Sequence, residues 1–245
     1  MSTRLDLIST PVSLATLWSE LVSGTYKIAA TLFSSEHCSL VLTASDRSPE
    51  AATKRPEDRH VEILERALLG CPKKVIACDF VLSQSSIAAA IQRCFYFMGL
   101  SCTPSQVPLP VVIAAYAKRA RCTGPMSRSL SNSTQSQGER LVQIRRPERY
   151  FAGLLPPAEE AIVRLLAEGK SYSEMASIRR TSLRTIANQV ASVFRRLGIS
   201  GRPELLCLLA ERALLPDSAP PPPNKAPDSR EFWKRFPIAS SAGLK

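Results

Sequence analysis

The feature that most constrains the fold of this chain is a pair of helix patterns joined by a short turn, between residues 171 and 198. Ser171 and Glu174 have the spacing of a capping box, which predicts the start of a short helix. A few residues later Ser182 has the side chain of a second N-cap, and Gly198 predicts the end of that second helix. Two short helices joined by a tight turn are typical of a helix-turn-helix motif, whose second helix projects from a compact support.

A third helix is predicted immediately before this pair. Pro157 suits the first turn of a helix, Glu159 and Glu160 favour its N-terminus, and Gly169 follows its end. The apolar residues of this helix and of the last helix recur at helical spacing: Ile162, Leu165, Leu166, Ile186, Val190, Val193, Phe194 and Leu197. The segment therefore predicts a compact helical unit in which the helix after Ser182 has one buried face and one exposed face.

The exposed face of that last helix is basic. From Arg179 to Arg202 the sequence has six arginines and no acidic residue. Arginines neutralise phosphates, and arginine, asparagine and glutamine side chains pair with base edges in the major groove. A solvated helix face is the simpler explanation, but its coincidence with the caps and the turn favours DNA binding. The predicted DNA-binding residues are Arg179, Arg180, Ser182, Arg184, Thr185, Asn188, Gln189, Ser192, Arg195 and Arg196.

These residues resemble a known family. The segments LPPAEEAIVRLLAEGKSYSEMA and TSLRTIANQVASVFRRLGIS are similar to the LuxR-type (GerE-like) helix-turn-helix of transcription regulators, matched over some fifty residues. The resemblance implies that residues 182–197 form the recognition helix. It also implies a homodimer contact through the helix 203–214, for which packing of its apolar side on its own domain is the simpler alternative. Arg179 and Arg180 depart from the family pattern, which has an apolar residue and a glycine there. Ala187 and Gln189 also depart from it, since the family commonly has lysine and often histidine at these positions.

The first half of the chain contains a degenerate copy of this pattern. Residues 70–104 align without a gap with residues 169–203 at an offset of 99, and nine of the 35 positions are identical. The identities lie at predicted caps, turns and core positions, which is where a shared fold would preserve them. The predicted reading residues are not preserved in this copy: Arg184, Asn188 and Gln189 are replaced by Ser85, Ala89 and Ala90. The copy has either lost its DNA contacts or reads a second half-site, with Lys73 and Lys74 contacting phosphate. We favour the loss, because the copy has few charges to neutralise phosphates.

The sequence predicts a mainly α fold with a small β-hairpin in the N-terminal region. Residues 1–118 are predicted to form an N-terminal domain, with a helix over 13–23, the hairpin over 25–44 and the degenerate helix-turn-helix over about 60–117. A flexible Ser-, Asn- and Gln-rich linker is predicted over 119–139, and a four-helix DNA-binding domain over 140–214, opened by a strand in RLVQIRR. A disordered Pro-rich tail is predicted over 215–245.

Composition narrows the function classes. Lysine and arginine outnumber aspartate and glutamate by 32 to 21, which gives a net charge of +11 and favours polyanionic partners. The chain has no apolar run long enough to span a bilayer and no secretion signal, so we expect a cytoplasmic protein without membrane contact. Its seven dispersed cysteines and two histidines predict neither disulfides nor a metal site, and we expect no cofactor.

Three other functions compete with DNA reading. The chain lacks a Gly-rich phosphate loop and a Gly-x-Ser-x-Gly turn, so we do not expect an enzyme. RNA binding is disfavoured because no aromatic platform accompanies the basic face. The main alternative is a protein-interaction module that uses the same fold to bind a partner regulator or RNA polymerase, and the arginine-rich face argues against it unless that partner is acidic.

Overall fold

The fold is mainly helical, as the sequence predicts, and the predicted hairpin is part of one antiparallel sheet. It was obtained as a computed structural model that describes residues 9–11, 13–45, 56–120, 131–136, 138–151 and 153–215. The strands are β1 (Ser9–Pro11), β2 (Tyr26–Phe33), β3 (His37–Ala44), β4 (Ser131–Ser136) and β5 (Glu139–Arg145). The helices are α1 (Leu14–Val22), α2 (Asp58–Leu68), α3 (Lys73–Asp79), α4 (Gln84–Phe97), α5 (Leu109–Arg119), α6 (Pro157–Ala167), α7 (Tyr172–Ile178), α8 (Leu183–Leu197) and α9 (Arg202–Leu214). Short 3₁₀ turns lie at Pro104–Gln106 and Pro147–Phe151.

The N-terminal helix and hairpin are confirmed. Helix α1 buries Leu14, Leu17, Trp18 and Leu21 on one face, which is the face that its helical spacing predicts. Strands β2 and β3 pair antiparallel, with one register shift between Ile28 and Ala30. The polar segment 45–59 after the hairpin predicts an exposed loop, of which residues 46–55 lie outside the described residues.

The sheet corrects the predicted linker. Its strand order is β1-β4-β5-β3-β2, and every neighbouring pair is antiparallel. Strand β5 confirms the strand predicted in RLVQIRR, but β4 lies at residues 131–136, inside the segment predicted as a flexible linker. That prediction was wrong there because β4 is held by backbone pairing with β1 and β5, which a polar composition does not reveal. Residues 121–130 and the tail from 216 lie outside the described residues.

Each half of the chain contributes four consecutive helices. In the first half, α3 and α4 follow one another across a break at which the chain bends by 101°. The prolines at 104, 108 and 110 predict a helix that begins only after Pro110, but α5 begins at Leu109, one residue before that proline. A proline is tolerated there because the first turn of a helix has no intrahelical partner for its N–H group. In the second half, α6 to α8 begin and end at the predicted caps, including the left-handed Gly198 after α8.

The two sets of helices have the same backbone plan at an offset of 99 residues. We call α2–α5 the first repeat and α6–α9 the second repeat. Adding 99 to the bounds of α2 and α3 gives the bounds of α6 and α7, and α4 and α8 start at positions related in the same way. Ser83 and Ser182 cap these two helices through equivalent hydrogen bonds, in which each hydroxyl accepts a bond from the amide three residues later. The alignment of the sequence is therefore matched by aligned secondary structure.

The repeats also share an unusual backbone conformation. Val81 and Arg180, which are equivalent positions, have φ angles of +52° and +50°. At each position the chain closes α3 or α7 with a Schellman motif: the next amide, of Leu82 or Thr181, donates to the carbonyl of Ala77 or Ala176. Glycine usually occupies such a left-handed position, because a Cβ atom clashes there.

One core joins the two repeats. Helices α5 and α9 pack against each other, and their buried residues belong to one continuous apolar cluster that also includes α1 and the sheet. Leu205, Leu206, Leu209 and Leu214 of α9 are all buried. In the described part of the chain, the helix 203–214 therefore presents its apolar side to α5, and the homodimer surface predicted there is already covered. The division into two domains stays a prediction.

Relieving the left-handed strain should stabilise the protein. We expect Val81→Gly to raise stability by about 1 kcal/mol, because the cost of a β-branched residue at positive φ exceeds the added entropy of glycine in the unfolded chain. For a chain of this size that corresponds to a rise in Tm of about 2–4 °C, measurable by thermal denaturation.

The matched control is Gln92→Gly, at an exposed site within α4. It should lower stability by about 1 kcal/mol, as glycine does in any helix interior. A decrease in Tm for Val81→Gly similar to that of the control would contradict the strained Schellman turn.

Candidate nucleic-acid interface

The exposed helix of the second repeat is held by a compact support. Helix α8 packs against α6 and α7 and buries Ile186, Val190 and Val193. These residues recur at helical spacing, so they fix which side of α8 faces the core. Phe194 and Leu197 are partly buried against the same core, and most other positions of α8 are exposed.

The turn before α8 fixes the start of the helix. Ser182 caps it, accepting a hydrogen bond of 3.1 Å from the Thr185 amide, and its hydroxyl lies 2.9 Å from the Thr185 hydroxyl. Arg179 is half-buried as the C-cap of α7, whereas Arg180 is exposed at the left-handed position. The side chains of Ser182 and Thr185 are thus engaged in the N-cap of α8, whereas the Arg180 side chain is exposed just before α8 begins.

A line of exposed side chains runs along the outer side of α8. Arg184, Asn188, Ala191 and Arg195 are exposed and are spaced by four, three and four residues, which places them on one face of a helix. Together with Arg180 in the turn we call them the arginine stripe. Helix α8 contains no acidic residue, so the stripe carries three cations and no carboxylate: Arg184 and Arg195 belong to the helix and Arg180 to the turn before it.

Three of the predicted contact residues lie beside the stripe and not on it. Ser192 donates a hydrogen bond of 2.8 Å to the Glu159 carboxylate, and the Arg196 Nε lies 3.0 Å from Glu159 Oε2. Gln189 is half-buried, with its Oε1 atom turned into the packing. Buried Glu159 on α6 thus orients two side chains of α8. The outward face of α8 therefore contains fewer of the predicted contact residues than the sequence indicates.

The structure adds two exposed apolar residues that the sequence analysis missed. Leu183 is 55 % exposed, and Ile178, at the end of α7, is exposed to the same extent. The spacing from Leu183 to Ile186 and Val190 suggests a core position, but Leu183 is the first residue of α8 and extends beyond the support. An apolar side chain beside Arg184 is suited to contact a thymine methyl group.

Two further polar residues hold the support in shape. Ser171 and Glu174 form the predicted capping box, in which the Ser171 amide donates to Glu174 Oε2 at 2.7 Å and the Glu174 amide donates to Ser171 Oγ at 3.3 Å. These bonds from Ser171 lower the pKa of Glu174. Arg202, one of the six arginines of the motif, donates to the Leu166 carbonyl at 2.6 Å, and burial lowers its pKa to about 10. Arg202 therefore belongs to the packing and not to the basic surface.

The described residues contain no group of three or more His, Cys, Asp or Glu side chains placed to hold a metal ion. Cys38, Cys71, Cys94 and Cys207 are buried, and burial raises the pKa of each thiol, to about 12 for Cys94. Buried thiols of this kind behave as small apolar side chains.

Within the described ranges no single helix has the length and apolar character to cross a bilayer. Helices α3 and α4 reach the required length and apolar character only when they are counted together, and the chain bends by 101° between them.

Comparison of the chain with protein-family models, with curated proteins and with solved structures gave no significant match. The likeness to the LuxR-type motif consequently rests on the residues quoted above.

The capping box makes a pH-dependent contribution to stability. Because the folded pKa of Glu174 lies below its ordinary value of 4.5, its stabilisation is present above that value and is lost as the pH falls through the folded pKa. We expect Glu174→Gln to lower Tm at about pH 7, with a difference from wild type that shrinks towards about pH 3. Thermal denaturation of both proteins over this range measures it, and a difference that grows on acidification would contradict this role of Glu174.

Proposed function

We propose that the chain is a sequence-specific DNA-binding transcription regulator whose second repeat contains a helix-turn-helix. In this proposal α7 and α8 are the two helices of the motif, α6 supports them, and α8 is the recognition helix in the major groove. The observation that carries it is the arginine stripe: an outward line of side chains on a capped, firmly supported helix that contains no carboxylate.

The stripe has the chemistry that base reading requires. The major groove of B-DNA admits an α-helix, and its base edges offer paired acceptors on guanine and a donor with an acceptor on adenine. Arg184 matches guanine and Asn188 matches adenine, and the two are one helical turn apart on the same face. Leu183 adds an apolar contact beside them.

The ends of the stripe suit the DNA backbone. Arg180 lies in the turn before α8, and Arg195 lies in its last turn. Cations at both ends of a recognition helix fix its register by contacting phosphates on either side of the groove. The net charge of +11 supports the same partner, since neutralising phosphates supplies most of the non-specific affinity for DNA.

A protein-interaction module that sequesters a partner regulator or RNA polymerase is the competing function. Three arginines on one outward stripe disfavour it, because burying guanidinium groups against a neutral protein surface costs more than their contacts return. An acidic protein partner would escape this objection. The experiment below therefore measures DNA binding directly.

The double variant Arg184→Ala/Asn188→Ala tests base reading. We expect the full-length protein to enrich a motif from a random duplex library, and we expect the double variant to lose that preference while keeping its circular dichroism spectrum. Each lost bidentate contact should reduce discrimination against the wrong base by about 1–3 kcal/mol. An unchanged preference would place the reading surface elsewhere.

The phosphate contacts predict a different response. Arg180→Ala and Arg195→Ala should weaken binding to all sequences alike and should each reduce the slope of log affinity against log salt by about 0.9. The matched control is Arg93→Ala, which removes an exposed arginine from α4. The control should leave both preference and slope unchanged; absence of duplex binding by the wild type at low salt would favour the interaction module.

A further inference from the structure

The duplication extends beyond the helices. A β-hairpin precedes each repeat, so the chain runs β2-β3-α2-α3-α4-α5 and then β4-β5-α6-α7-α8-α9. Among the described residues, the same order of two strands and four α-helices therefore occurs twice, within residues 26–119 and 131–214. We call these two stretches the first half and the second half of the molecule.

The halves meet through equivalent surfaces. Strand β3 of the first half pairs antiparallel with β5 of the second, with Leu40 opposite Val142, and each hairpin partner, β2 or β4, lies on the outer side. Helix α5, the last helix of the first half, packs on α9, the last helix of the second. Contacts of like with like are the mark of an isologous interface, which a twofold axis generates in dimers of identical chains.

Reciprocal contacts at the helix ends agree with this symmetry. Gly70, after α2, lies against Pro203 at the start of α9, within 3.6 Å of a Cβ built on the glycine. Gly169 is the equivalent of Gly70, and a Cβ atom at Gly169 would lie 2.5 Å from the carbonyl oxygen of Gln106, just before α5. Each glycine thus lies where the last helix of the other half begins. Val107 adds a further link, since its carbonyl accepts a bond of 3.4 Å from Arg202.

This internal interface uses the apolar surface that a second chain would need. Residues 109–117 of α5 are all buried, and so are most residues of α9. An isologous interface is closed, because both of its surfaces are satisfied by a single contact. One chain therefore already contains the arrangement that two chains would form.

The outer faces of the two halves differ position by position. Where the second half has the arginine stripe, the first half has an exposed line of equivalent residues without charge: Val81 for Arg180, Ser85 for Arg184, Ala89 for Asn188, Gln92 for Ala191 and Tyr96 for Arg195. We call this line the neutral face. Val81 is 90 % exposed and Tyr96 is 82 % exposed, so this difference is one of chemistry and not of burial.

We propose that the protein is an internal pseudo-dimer that recognises a single, unpaired half-site, with the second half alone contacting DNA. The proposal rests on the proposed function and specifies its target: an asymmetric site bound by one chain, and not an inverted repeat bound by two reading heads. The neutral face has no cation to neutralise phosphate and no bidentate side chain for guanine, which are the two contacts that a paired half-site would require.

The first experiment combines motif selection with stoichiometry on the full-length protein. We expect a random duplex library to yield one asymmetric motif shorter than one helical turn, about 10 bp. Native mass spectrometry should then show one chain per duplex, and sedimentation should show a monomer of 26.8 kDa without DNA. An inverted-repeat motif would overturn the proposal, whether one chain or two chains bound it.

A second experiment changes the two faces in parallel. The variant Val81→Ala/Ser85→Ala/Gln92→Ala/Tyr96→Ala removes the neutral face, and its affinity for the selected motif should stay within about twofold of wild type. The matched variant Arg180→Ala/Arg184→Ala/Asn188→Ala/Arg195→Ala should lose at least about a hundredfold. A loss of about tenfold or more in the first variant would show that the first half contacts DNA and would overturn the proposal.

Lys73 and Lys74 provide the strictest test of the first half, because both are exposed at the start of α3. Lys73→Ala/Lys74→Ala should leave the salt slope unchanged, and a slope reduced by about two would mean that they contact phosphate and that the proposal fails. Failure of the proposed function has a different signature: wild-type protein would then enrich no motif and bind no duplex at low salt.

Discussion

The packing of α5 against α9 is the contact on which the rest of the structure depends. It joins the last helix of each half, and it lies at the centre of an apolar cluster that includes α1 and the sheet. Burying a single leucine or valine side chain contributes about 1.5–3 kcal/mol, and α5 alone buries nine consecutive residues. Without this contact each half would expose an apolar helix, and the pairing of β3 with β5 would lose the helix packing that holds the two halves together.

This contact also separates stability from recognition. The core side of each half is fixed by the shared interface, so the outer sides are exempt from the constraints of packing. One outer side carries arginines and an asparagine, whereas the equivalent side carries neutral residues, yet the first two helices of the two repeats have equivalent bounds and the third helix begins at a serine cap in both. Even the strained left-handed position is present in both, as valine in one half and arginine in the other. The backbone plan is therefore independent of the chemistry displayed on it.

Local signals in the sequence predicted the local structure well. Ser171, Ser182 and Gly198 marked helix ends correctly, because a cap depends on residues within one turn of it. The offset of 99 was visible because core and turn residues are restricted to few types. What the sequence did not reveal depends on distant residues. Strand β4 is polar and is recognisable only by its pairing, and the packing of α9 on α5 was not visible because the two helices lie some ninety residues apart in the sequence.

At the candidate interface too, local sequence signals predicted part of the exposed face of α8, and distant contacts determined the rest. Helical periodicity correctly placed Arg184, Asn188 and Arg195 on one exposed face, whereas Ser192 and Arg196 are turned aside by Glu159, which lies on another helix. Hydrogen exchange of the full-length protein with and without excess duplex at low salt would test the central claim most directly. We expect DNA to protect the amides around residues 180–196 and to leave those around 81–97 unchanged. Equal protection of both segments, or protection of neither, would contradict a reading head confined to the second half.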